Sequence, residues 1–313
     1  MDKKNHKEIY IISNSPKRRP YASKITIVLE EGFEYGFDGE TCLLLDGDFL
    51  VRIKPETGKT KHDKKNLQQI TAIIEGFATA GKAEEMGLKL TLALLWTAIS
   101  KKWHLKLNYH TPQPCIVFDR TQSRDGLRLS GSVSYSVRTN ANEVIKLINE
   151  ILSKQNKFDQ RLLISMELFT SAKLESTERA KFIGLVSSLE PLAIQEKFNN
   201  KELDELISSF ISRINDINSL TNSAKDSISG RARSLSEESV LQSILRFIQE
   251  YFPQKPGITR IVREAYNIRS SMLHDGTFDD DLAEKGKELE EIIRYIYSQI
   301  LNVELVFPAK TAE

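Results

Sequence analysis

Two periodicities divide the chain. In its first half, short runs rich in β-branched and large apolar residues stand between polar breaks: KITIVLEE at Lys24–Glu31 and TCLLLDGDFLVRIK at Thr41–Lys54. These runs predict strands, with Asp46-Gly47-Asp48 as a hairpin turn inside the second. Ala83–Lys101 carries Met86, Leu88, Leu90, Leu92, Leu94, Leu95 and Ala98 without a proline, and reads as a mostly buried helix. Strand-like alternation returns in HLKLNYH, PCIVFD and RLSGSVSYSVR between His104 and Arg138, and an amphipathic helix follows at Asn142–Lys154. The expectation for this half is an α+β domain.

From about Phe158 the strand signals stop and amphipathic segments of helical length follow one another. Helices are expected near Asp159–Lys173, Ser176–Lys197, Lys201–Leu220, Glu237–Tyr251, Ile258–His274 and Asp279–Leu301. Asp279, Asp280 and Asp281 put negative charge at a helix start, where the macrodipole favours it. Asn222–Ser236, NSAKDSISGRARSLS, reads instead as a Ser-rich break, a mobile basic loop that holds Arg231 and Arg233 as candidate RNA contacts. The expected organisation is multi-domain: an α+β domain over 1–156, an all-α helical bundle over 157–303 and a tail over 304–313. No repeat of solenoid period is present.

A length of 313 residues suits two domains, and 40% hydrophobic with 28% charged residues is an ordinary globular composition. The net charge of +1 gives no global attraction to nucleic acid, so any such attraction must come from local clusters. Two clusters stand out, one between Lys3 and Lys24 and one between Arg52 and Lys65. With only Cys42 and Cys115, neither a disulfide framework nor a cysteine-based metal site is expected, and a reducing cytosol fits. The longest apolar run, Leu90–Ile99, is well short of the roughly 20 residues that span a bilayer, and the N-terminal sequence lacks the apolar core of a signal peptide. The expectation is a cytoplasmic protein without a membrane segment.

The segment with the most chemistry is Tyr266–Gly276, YNIRSSMLHDG. Its Arg269 and His274 stand five residues apart, near the end of a helix that Gly276 would stop. The spacing alone is weak, since about 0.8 Arg-to-His pairs at four to six intervening residues are expected by chance in such a chain. At 100° per residue, Ile258, Ile261, Ala265, Ile268 and Met272 form a core stripe, Arg269 lies beside it, and His274 is about 140° away with Asn267 and Ser271. One reading is a solvated polar face, with His274 near a helix C-terminus. The other is RNA chemistry: a histidine takes the proton from a ribose 2′-hydroxyl, and a guanidinium holds the charge developing on the phosphate. That reaction needs no metal or other cofactor, ends in a cyclic phosphate and is closed to DNA.

The motif YNIRSSMLHDG, the long helix after it and the upstream helix FIGLVSSLEPLA together resemble the Apea-like branch of the HEPN superfamily, over roughly Phe158–Val303. The resemblance implies a helical bundle that commonly pairs into a homodimer, and a metal-independent endoribonuclease acting in antiviral defence, a toxin system or RNA processing. Carried over by motif position, Arg269 and His274 are the expected catalytic pair. Asn267 and Glu190 are accessory candidates, and Pro191 is expected to bend the helix that carries Glu190. The α+β half has no counterpart in the resemblance and is expected to bind a trigger, regulator or other partner. Some HEPN domains are catalytically silent and serve RNA or nucleotide binding or dimerisation, which is the alternative reading.

A further alternative is a degenerate P-loop NTPase. GFATAGKA at Gly76–Ala83 is one residue short of GxxxxGK[ST], and CIVFD at Cys115–Asp119 resembles a Walker B strand. Ala83 lacks the hydroxyl that would bind Mg²⁺, and repeated βα units are missing. His104 and His110 share a strand face by parity, but no carboxylate or cysteine cluster joins them, so no metal site is expected.

Overall fold

The computed structural model describes residues 19–30, 41–45, 49–60, 67–109, 112–121, 141–154, 159–276 and 281–305. The chain divides into two compact units, one of residues 1–174 with 300–313 and one of residues 175–299. The division expected at 156/157 differs from this by a helix, Gln160–Ala172, which packs within the first unit.

The first unit is built on an antiparallel sheet of β1 (Tyr21–Glu30), β2 (Thr41–Leu45), β3 (Phe49–Thr60), β4 (Leu67–Phe77), β5 (Leu105–Leu107) and β6 (Cys115–Asp119). The order is β2-β3-β4-β1-β5, and β6 also pairs with β1 along its first half, Tyr21–Ile25. The expected strands that fall on described residues are therefore present. The Asp46–Asp48 turn and the segment RLSGSVSYSVR lie outside the described residues.

Helix α1 (Ala80–Lys101) packs on β1, β4 and β6, while α2 (Ala141–Lys154) and α3 (Gln160–Ala172) also pack on it. Neighbours on several sides explain why every residue from Gly87 to Ser100 is buried, and why its sequence shows no polar stripe. Its buried hydroxyls turn back onto the helix: Thr91 Oγ1 donates to the Gly87 carbonyl at 2.9 Å and Thr97 Oγ1 to that of Ala93 at 2.8 Å. Tyr109, just beyond β5, donates to both carboxylate oxygens of Glu167 on α3, at 3.0 and 3.1 Å. The C-terminal segment returns to this unit, where Lys154 donates to the Asn302 carbonyl at 2.9 Å and Leu301 and Val303 are buried.

The second unit is helical: α4 (Glu178–Ser187), a 3₁₀ turn at Glu190–Leu192, α5 (Lys201–Asn215), α6 (Asn222–Ser234), α7 (Val240–Tyr251), α8 (Pro256–His274) and α9 (Leu282–Ile300), whose last residue belongs to the first unit. Its core includes Phe182, Leu185, Val186, Ile248, Val262, Leu289, Ile293 and Tyr297.

Two helix expectations are corrected. The segment Ser176–Lys197 is not one helix: α4 ends at Ser187, because an α-helical turn through Pro191 would need the N–H that proline lacks. Asn222–Ser236 is not a loop, since most of it is α6, started by Thr221, whose hydroxyl accepts from Ala224 N at 3.3 Å. Ser229 and Ala232 are buried as α6 packs on α5, and this packing outweighs the weak helix preference of serine.

Arg246 on α7 fastens the extended segment after the 3₁₀ turn. It pairs with Glu238, Glu250 and Glu196, each at 3.0 Å, and donates to the Ile194 carbonyl at 2.8 Å. Among the described residues, no helix is long and apolar enough to cross a membrane.

Candidate functional site

Helix α8 starts with Pro256 in its first turn and buries Ile258, Val262, Ala265, Ile268 and Met272. This stripe packs the helix against α4 and α7. The helix ends at His274; the Asp275 N–H caps it by donating to the Ser271 carbonyl at 2.9 Å, and Gly276 follows at φ +69°. The stop expected at Asp275-Gly276 is therefore built with glycine in the left-handed region it favours.

Arg269 adjoins the buried stripe, and its side chain is 21% exposed. Its Nη2 lies 3.1 Å from Glu190 Oε1, and its guanidinium carbon is 5.6 Å from the centre of the Tyr266 ring. Its Nε is buried and has no hydrogen-bond acceptor among the described residues. Glu190 reaches it because α4 has stopped: Ser188 turns its hydroxyl onto the Leu185 carbonyl at 2.7 Å, Leu189 is buried, and the 3₁₀ turn opens at Glu190. An arginine and a glutamate distant in sequence thus form an ion pair, and the buried Nε–H is left without an acceptor among the described residues. A buried N–H without an acceptor is costly.

His274 is exposed in the last turn of α8. It is separated from Arg269 by about 140° around the helix axis and about 7.5 Å along it. Asn267 is also exposed and shares the His274 side of the helix rather than that of Arg269. Of the expected site residues, Arg269 and Glu190 meet, while Asn267 and His274 line another face. Arg231 and Arg233 are exposed on α6, whose substantial packing among the described elements is on α5. Tyr266 was not foreseen; its signal was its position three residues before Arg269, one turn away on the same face.

The P-loop-like stretch has other contacts. Gly76 lies in β4 at φ +108°, Thr79 caps α1, and Lys82 pairs with Glu85 at 2.8 Å. Asp119 accepts from Thr121 N at 2.8 Å and from its hydroxyl at 2.7 Å, and these bonds hold its carboxyl below the usual range. The strand before the loop is antiparallel to both neighbours, whereas a P-loop strand belongs to a parallel sheet. Among the described residues, no three His, Cys, Asp or Glu side chains cluster as a metal site would require. Comparisons with protein families, with curated proteins and with solved structures find no match for this chain.

Proposed function

We propose that the helical unit is a metal-independent endoribonuclease of the HEPN type. Arg269 is its phosphate clamp and His274 its proton-transfer group. The Arg269–Glu190 pair carries this reading. It holds the guanidinium in one orientation while the side chain stays partly exposed, as suits a group that must meet phosphate oxygens. His274 stands in open solvent at the end of the same helix, where a long substrate has access.

In the reaction, the His274 imidazole takes the proton of a ribose 2′-hydroxyl, and the 2′-oxygen attacks phosphorus. The bond to the 5′-oxygen breaks, and that oxygen leaves with the proton that the His274 imidazole took up and returns. The products are a cyclic phosphate end and a 5′-hydroxyl end, with water neither gained nor lost. The splay of about 140° between the two side chains is accommodated if the cleft is composite, with a second copy supplying one of them. Glu190 is a positioning residue, and Asn267 lies close enough to His274 to contact the same RNA. The α+β unit binds the trigger or regulator, the protein acts in the cytoplasm, and defence or toxicity is its setting; these assignments follow the resemblance.

A second reading has its own observation. Glu190 already neutralises Arg269, and His274 faces elsewhere, which also suits a silent module that binds RNA or nucleotide, or dimerises. Purified wild type, His274→Ala and Arg269→Ala incubated with mixed single-stranded RNA in EDTA separate the two. The ribonuclease reading expects cyclic phosphate ends from the wild type and a loss of about 10²-fold or more in each variant. Equal cutting by all three overturns it. RNA binding without cutting, unchanged in both variants, supports the silent module.

A further inference from the structure

Helix α5 carries more apolar surface than its surroundings cover. Leu203, Leu206, Ile207, Phe210, Ile211 and Ile214 span an arc of about 140° around it. Among the described elements its one substantial neighbour is α6, which turns the small residues Ser229 and Ala232 inward. Ile207 is accordingly buried, but Leu206 is 67% and Phe210 46% exposed, one turn apart on the outer edge of the arc. Such a seam on a helix marks an interaction surface.

The charges beside the seam indicate what covers it. Glu202 and Arg213 lie on the same flank, about 20° apart around the axis. Both are exposed, and neither forms an ion pair among the described residues, whereas Lys201 and Glu205 pair with each other at 3.7 Å. In antiparallel packing, like flanks of the two helices face each other. Setting Leu206 opposite the partner's Phe210 leaves Glu202 one residue, about 1.5 Å, out of register with the partner's Arg213. The two-fold axis repeats the match, so each helix supplies one member of each of two ion pairs. The antiparallel arrangement also opposes the helix dipoles favourably.

We infer that the outer face of α5 is a homodimer interface, at which two copies of the helix pack antiparallel through Leu206 and Phe210 with Glu202 facing the partner's Arg213. This inference does not depend on the ribonuclease reading, because it uses no residue of α8. Sedimentation velocity over a range of concentrations tests it with the full chain. Wild type should dimerise, and Leu206→Glu should abolish the dimer while leaving the far-UV circular-dichroism spectrum, and so the fold, unchanged. Glu202→Arg and Arg213→Glu should each weaken the dimer by about tenfold, since each replaces two attractive pairs with two repulsive ones. An equimolar mixture of these two variants should restore association, because the mixed dimer carries both pairs with opposite charge. A wild type that stays monomeric, a dimer that survives Leu206→Glu, or a mixture no tighter than its components overturns the inference.

Discussion

Gly87 marks the closest approach of α1 to the sheet, and adding one methyl group there has a cost that the structure allows to be worked out. A Cβ at this position would stand 2.5 Å from Ser23 Oγ, 2.7 Å from Ser23 Cβ and 2.9 Å from Cys115 Sγ. Ordinary contact begins near 3.4 Å, so side chains of both β1 and β6 would have to retreat by the better part of an ångström. Ser23 is wholly buried and Cys115 is 5% exposed, so neither has solvent to move into. Overpacking of this kind costs about 3 kcal/mol, at the upper end of its usual range, against about 1 kcal/mol gained from alanine's helix preference. The net loss for Gly87→Ala is about 2 kcal/mol, a fall in melting temperature of roughly 4–8 °C for a unit of this size. The chain has 2 tryptophans, Trp96 and Trp103, and both are buried in the first unit, so their fluorescence follows its unfolding apart from the helical unit. Gly81, at the exposed start of the same helix with nothing within 4 Å of its added Cβ, is the control. Its alanine variant gains only the helix preference, up to about 1 kcal/mol. A Gly87→Ala variant that melts at or above the wild type would refute the steric argument.

Arg246→Ala should lower the melting temperature of the helical unit and quicken proteolysis between Ile194 and Asn200, because three carboxylates and a carbonyl lose their shared partner. Both effects being absent would show that the latch contributes nothing. Burial raises the Glu167 carboxyl above its usual value, against the opposing Tyr109 hydrogen bond and the attraction of Lys106. Its contribution to stability is therefore complete below the unfolded value, about 4.3, and is lost as pH rises through the folded one. Glu167→Gln should remove that part of the decline and keep an acceptor for the Tyr109 hydroxyl, which is itself pushed up to about 12; a denaturant titration at several pH values reads both slopes. Burial pushes the Cys115 thiol up, so it should resist a thiol reagent in native buffer and react at an ordinary rate once unfolded; fast native labelling would contradict its placement.

Much of this architecture was legible in local pattern. The β-branched runs around Ile27 and Val51 became strands, and the leucine-rich run from Leu88 to Ile99 became α1, because side-chain period and burial are set by neighbours close in sequence. Pro191 and Gly276 marked chain turns for equally local reasons, a missing N–H and a permitted positive φ. The candidate site was legible only in part. Arg269 and His274 could be named and their angular separation computed from helix geometry, but the pairing of Arg269 with Glu190 required α4 and α8 to pack and α4 to end where it does.

What only the tertiary structure decided follows from contacts between residues far apart in the chain. Asn222–Ser236 has the composition of a loop and lies largely in a helix, because α5 offers a surface on which small residues can be buried. The Gln160–Ala172 helix looks like the first of a bundle, yet it packs on α1 and next to β5, where Tyr109 meets Glu167. The outward apolar seam of α5 is invisible as such in the sequence, since Leu206 and Ile207 are equally apolar and only packing leaves one exposed and the other buried. By itself the sequence determined most of the segments that become helix or strand, Asn222–Ser236 excepted, and which faces of them are apolar, since these depend mainly on residues within a few turns. The partner of each face is chosen by long-range packing, which no local pattern encodes.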